Sequence, residues 1–223
     1  MSLRIRLAPV LALATLLPLS GCFKLSRESP RLQQFVLSGA SQPRPAVSVG
    51  HTLGLRRIDL ASYLAVPTIV VRRGVNELVV SEFHRWGEDL GEGINRVVAA
   101  NLAGSPPVRL VNVAPWQVQA RHDYVVQLHV SRFEGVANSA ETQGRIHLLA
   151  GWDIISPRNG ALLMRGTTDD RGGSWRVGDY AGLVMELDAA LWRLARDIRA
   201  CLASFRNDST APASCATASP LPR

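Results

Sequence analysis

DYVVQLHVSRFEG, residues 123–135, sets Val126, Leu128 and Val130 in strict alternation with Val125, Gln127 and His129. A period of two is the mark of a β-strand whose two faces meet different surroundings, so this stretch predicts a sheet buried mainly on one face. Working outward, GRIHLLAGWDIIS (144–156) and ALLMRGTTDDRG (161–172) flank the turn sequence PRNG and read as a hairpin. TIVVRR (68–73) and NELVVS (76–81) flank Gly74 and Val75 and read as another. LQQFVLS (32–38), HTLGLRRIDL (51–60) and VRLVNV (108–113) supply further strands, the second with a bend where Ile58 leaves the phase of Leu53 and Leu55. SQPRPAVS (41–48) and GSPP (104–107) punctuate them as loops.

Two segments change to helical spacing. From Trp86, the residues Leu90, Ile94, Val97, Val98 and Leu102 recur on one face, with Ser81 as the expected cap and Glu82 near the positive end. Gly91 and Gly93 fall inside that helix at about 1 kcal/mol each relative to alanine, which close packing on a sheet would explain. Asp179 caps the last helix, striped by Leu183, Leu187, Leu191, Leu194, Ile198 and Leu202. The expected fold is a single α/β domain: a mixed, mostly antiparallel sheet packed with two long amphipathic helices.

The start of the chain has another purpose. Arg4 and Arg6 precede an apolar run, Leu7 to Leu19, and Ser20-Gly21 precede Cys22, the layout of a cleavable secretory signal ending in a lipobox. Pro9 and Pro18 interrupt the run, which falls short of the roughly 20 residues a spanning helix needs. Cleavage makes Cys22 the mature N-terminus, lipidated on its thiol and carrying a further acyl chain such as palmitate on its amine. Two or three chains, at about 0.8 kcal/mol per buried methylene, anchor firmly. By analogy with enteric sorting, Phe23 in place of Asp directs such a protein to the outer membrane. The expected organisation is signal peptide 1–21, lipidated tether 22–31, one domain over 32–205 and a disordered tail 206–223.

The mature chain of 202 residues (223 minus 21) suffices for one domain with its own core. Charged residues make up 19% and hydrophobic residues 47%, ordinary globular values. The formal charge of +7 is spread as Arg without a basic run or interleaved aromatics. Nucleic acid is therefore not the expected partner. An anionic lipid or acidic protein surface fits the charge, as does a plain solvated Arg-rich face. Cys201 and Cys215 allow two readings. In an oxidising compartment they pair, closing a loop of about 15 residues for roughly 3 kcal/mol. Otherwise Cys201 packs as a small hydrophobe and Cys215 lies in the tail.

Chemistry-bearing patterns are sparse. His51, His84, His122, His129 and His147 form no HExxH, HxH or cysteine-paired spacing, so no metal is expected. His129 and His147 fall in adjacent strands and are placed to meet. GxSxG is absent, Gly91-Glu92-Gly93 lacks a third glycine, and the adjacent acids Glu88, Asp89, Asp169 and Asp170 suit caps and turns. No enzyme and no cofactor are expected.

The segment RIDLASYLAVPTIVVRRGVNELVVSEFHRWGEDLGEGINRVVAANL (57–102), with APW (114–116), residues 123–135 and GDYAGLVMELDAALWRLARDI (178–198), resembles the PqiC/YmbA-type ABC-transport auxiliary lipoproteins. Its most specific strings are Tyr63-Leu64-x-x-Pro67-x-Ile69-Val70-x-Arg72 and Arg85-Trp86-x-Glu88-x-Leu90. Phe35 stands where the family commonly has tyrosine, and Ala65-Val66 replaces a more polar pair. The resemblance implies a sandwich of the TolB N-terminal type. It also implies a non-enzymatic, periplasm-facing component of a system that moves lipid between membranes. The implied partners are an MCE-domain tunnel protein (PqiB-like), an ABC permease and ATPase, and outer-membrane lipid through Cys22, with homo-oligomeric rings among the expectations. Tyr63 and Leu64, apolar residues in an expected loop, and Arg72 and Arg73, at a hairpin, are the candidate partner interface, against the alternative of a solvated turn. A lipid carrier with its own apolar pocket is the competing function.

Overall fold

The computed structural model describes residues 30–39, 49–205 and 213–215. The signal peptide, Cys22, the loop 41–48 and most of the tail lie outside them. In chain order the elements are β1 (Gln33–Phe35), β2 (His51–Leu55), β3 (Asp59–Leu60), a 3₁₀ turn (Ser62–Leu64), β4 (Thr68–Arg73), β5 (Glu77–Trp86), α1 (Leu90–Leu102), β6 (Val108–Val113), β7 (Tyr124–Ala137), β8 (Gln143–Ile155), β9 (Leu162–Asp170), β10 (Ser174–Arg176), α2 (Tyr180–Ser204) and β11 (Ala213–Ser214). This is the expected α/β domain with a mixed sheet and two helices.

β7 is the spine. One edge pairs antiparallel with β8, which in turn pairs with β9 and β10. Along the other edge β2, β3 and β4 follow one another as three parallel segments, opposite Tyr124–Val126, His129–Val130 and Gly135–Ala137. β4 turns into β5 at Gly74, whose φ of 64° is left-handed. A bulge between Val130 and Arg132 shifts the alternation of β7 by one residue. Val126, Leu128 and Val130 face the core before it, Phe133 and Gly135 after it, and Glu134 falls on the opposite face.

α1 and α2 cover the core face. Their buried stripes (Ile94, Val97, Val98 and Leu102; Leu183, Leu187, Leu191, Leu194 and Ile198) pack with Ile146, Leu148, Trp152 and Ile154 of β8. Two of the three core tryptophans, Trp152 and Trp175, sit against glycines of the sheet. A Cβ at Gly166 would lie 2.2 Å from the Trp152 ring, and one at Gly135 2.8 Å from the Trp175 ring. Gly91 supports the close-packing expectation, since a Cβ there would meet Ile58 at 3.0 Å.

Four details depart from the sequence reading. Residues 81–86 continue strand β5 because the short parallel strand β1 pairs with His84, Arg85 and Trp86. Helix α1 therefore starts later, capped by Asp89, whose carboxylate accepts from the Glu92 amide at 3.0 Å, while the Ser81 hydroxyl faces His84 Nδ1 at 2.7 Å. β10, three residues long, adds a strand on β8 too short to show a period. Residues 213–214, inside the segment read as a tail, form β11 on β9.

Candidate functional site

The family string around Tyr63 and Arg72 converges on a carboxylate that sequence reasoning did not nominate, Glu134. The 3₁₀ turn brings Tyr63 over the bulge of β7, and its hydroxyl donates to Glu134 Oε2 at 2.8 Å. β4 delivers Arg72, whose Nε donates to Oε1 at 2.5 Å and Nη2 to Oε2 at 3.2 Å. Arg132 Nη1 lies 3.5 Å from Oε1, and the Arg72 guanidinium sits 5.8 Å from the Tyr63 ring centroid. Glu134 is 0% exposed, and its burial is compensated because both carboxylate oxygens receive donors and the Arg72 guanidinium is adjacent. Burial, and then the neighbouring carboxylate, push the Tyr63 phenol up to about 12. The hydrogen bond to Glu134 raises Arg72 further. The cluster acts as a clamp fixing the turn at 62–64 to the spine.

The other interface candidates are distributed differently. Leu64 is 1% exposed and belongs to the core, so it contributes packing and not a contact surface. Arg73 is 42% exposed and bridges Glu141 Oε2 at 2.6 Å and Glu77 Oε1 at 3.4 Å, tying the β4–β5 hairpin to the β7–β8 turn. Cys201, buried on α2, is joined to Cys215 with a Cα–Cα distance of 5.6 Å.

A second polar group lies on the sheet face away from the helices. His147 Nε2 is 2.9 Å from Asp169 Oδ1, and Arg171 holds the same carboxylate through Nε and Nη2 at 3.0 and 2.9 Å. Burial lowers His147, against the pull of Asp169, and the Arg171 hydrogen bond lowers Asp169. His129 does not meet His147. Its cross-strand partner is Gly151, whereas Glu134 is opposite His147, and His129 turns instead to Asp59 at 3.2 Å. Burial also lowers His84, which stacks on Tyr180 at 3.8 Å. Among the described residues no hydroxyl or thiol is hydrogen-bonded to the His147 ring, and no three His, Cys, Asp or Glu side chains gather as a metal site. Among them, too, no helix is long and apolar enough to cross a membrane. A shallow hollow of about 180 Å³ on the same face is lined by His129, Asp153, Arg165 and Thr167 beside Gly151. The Arg165 guanidinium there is held by Asp153 at 2.6 and 2.8 Å.

The sequence carries one faint signal toward Glu134 and no pattern that links it to Tyr63. Glu134 is the one acid between Tyr124 and Ala137, on a strand next to the arginines of TIVVRR, but the phase shift that puts it opposite the core comes from the bulge.

Comparison with known proteins gives a consistent picture. Residues 35–199 match the family described as ABC-type transport auxiliary lipoprotein component. A solved Xanthomonas campestris protein of the DUF330 family superposes with a TM-score of 0.60 at 16% identity, over 76% of this chain and 94% of that one. A solved uncharacterized protein does so at 0.60 and 14%, over 78% and 99%. At such identities these two likenesses concern the fold. No curated protein matches the sequence.

Proposed function

Because the chain belongs to the family of ABC-type transport auxiliary lipoprotein components, we propose that it docks an MCE-domain tunnel protein to the outer membrane in a system that moves lipid between membranes. The family is a transport component and not a catalytic one, and the family match is the observation that carries the reading. Cys22 is the anchor, lipidated and facing the periplasm, and an ABC permease and ATPase complete the system. Tyr63 and Arg72 serve this role indirectly. They hold the turn whose residues Ala65 and Pro67 are exposed. Several copies assemble around the tunnel axis.

Affinity capture of the Cys22-lipidated protein from native membranes, with mass spectrometry of what is retained, tests the reading. Recovery of an MCE-domain protein that is lost with Arg73→Glu supports it. Recovery of stoichiometric phospholipid without such a protein favours the carrier instead. Cys22→Ala should leave a folded protein that no longer sediments with membranes.

A further inference from the structure

Strand β11 is held on the sheet in two ways of very different strength. Its ladder is minimal: Ala213 lies opposite Met164, Ser214 opposite Arg165, and the Cys215 amide donates to the Arg165 carbonyl at 3.0 Å. Strands of ordinary stability run about five to six residues, so two residues of pairing do not hold themselves. The second hold is covalent, the bond from Cys215 to Cys201. Cys201 is 4% exposed, with its Sγ 3.7 Å from Met164 Sδ, directly under the residue that β11 covers. Cys215 is only partly buried. β9 has β8 on its other side, so without the strap its outer edge is open.

We propose that the Cys201–Cys215 bond is a redox latch: its reduction frees residues 213–215 and opens the edge of β9 at Met164 and Arg165 while the domain stays folded. The reductant is a dithiol. One of its thiolates attacks the Sγ of Cys215, the less buried of the two cysteines, forming a mixed disulfide and releasing Cys201 as a thiolate that takes up a proton. The second thiol of the reductant displaces Cys215, which is also protonated, and the reductant leaves as its own disulfide having given up two electrons. The fold survives because Leu191, Leu194 and Ile198 keep α2 seated without the bond.

Amide hydrogen exchange on the full chain, oxidised and after excess dithiothreitol, tests this. Peptides containing Cys215 and residues 162–166 should exchange at least about tenfold faster once reduced, with β7 and the first turns of α2 unchanged. Cys215→Ser, which leaves the core thiol in place, should reproduce the reduced pattern without reductant, and reoxidation of the natural protein should reverse it. Unchanged exchange at both peptides would show that the ladder holds itself. A rise across the whole domain would make the bond a general staple. Either result overturns the latch.

Discussion

Replacing Glu134 with glutamine removes the charge that Arg72 and Arg132 share but preserves shape. The amide retains one acceptor oxygen for the donor groups of Tyr63, Arg72 and Arg132 and turns its NH₂ toward Tyr63 or a guanidinium. Breaking a buried ion pair by removing one partner costs about 3–5 kcal/mol when the remaining charge is fully enclosed. The Arg72 side chain is 12% exposed and keeps some water, so the expectation here is about 2–4 kcal/mol. At a urea slope of about 2 kcal/mol per molar, the unfolding midpoint should fall by about 1–2 M. Tyr63→Phe removes one donor to a charged acceptor and should cost about 1–2 kcal/mol. The two changes share a partner, so together they should cost about 1 kcal/mol less than their sum. Arg72→Met with Glu134→Leu replaces the pair by apolar volume and should be far milder than Glu134→Gln alone. A midpoint for Glu134→Gln within about 0.2 M of the natural protein would refute the clamp.

Gly166→Ala drives a methyl into the Trp152 ring and should cost about 1–3 kcal/mol, lowering Tm by about 2–12 °C in thermal denaturation followed by circular dichroism. An unchanged Tm would mean that the ring moves freely. Asp89→Ala should cost about 1 kcal/mol through loss of the α1 cap, and Glu82→Ala well under half of that, both read from urea midpoints. Acidification should weaken the fold. His84 and His147 titrate lower folded than unfolded, so below pH about 6.5 the unfolded chain binds more protons and stability falls. Above that pH their contribution is constant, and Asp153 and Asp169, also lowered, act only in more acid solution. Urea midpoints that rise between pH 7 and pH 5 would contradict this assignment.

Long periodic runs gave most of the fold away. The alternation of β7 and β8 and the leucine stripe of α2 are properties of single segments, and each formed where its period placed it. What was hidden depends on partners distant in sequence. The stretch SEFHRW carries apolar residues that suit a helix end, yet pairing with Gln33–Phe35 draws it into the sheet and moves the cap to Asp89. Leu64 reads as an exposed loop residue until the 3₁₀ turn folds it inward. Tyr63 and Arg72 were visible as a motif, but their common target was not, because no local pattern links residue 63 to residue 134 across a bulge.

The three parallel segments along one edge of β7 have a bearing on how the protein tolerates change in chain length. Each of β2, β3 and β4 is registered against β7 separately, with residues 57–58 and 62–67 between them, the Arg56 and Ala61 amides still donating to the Val126 and Val130 carbonyls. A residue gained or lost in the first gap is taken up there and leaves the neighbouring pairings intact, whereas the second carries Tyr63 and Leu64 and is fixed by the clamp and the core. The same event inside β7 reverses every side chain beyond it, exchanging Phe133 for Glu134 at the core. Length variation among homologous chains should therefore collect between β2 and β3, while the span from Tyr124 to Ala137 keeps its count.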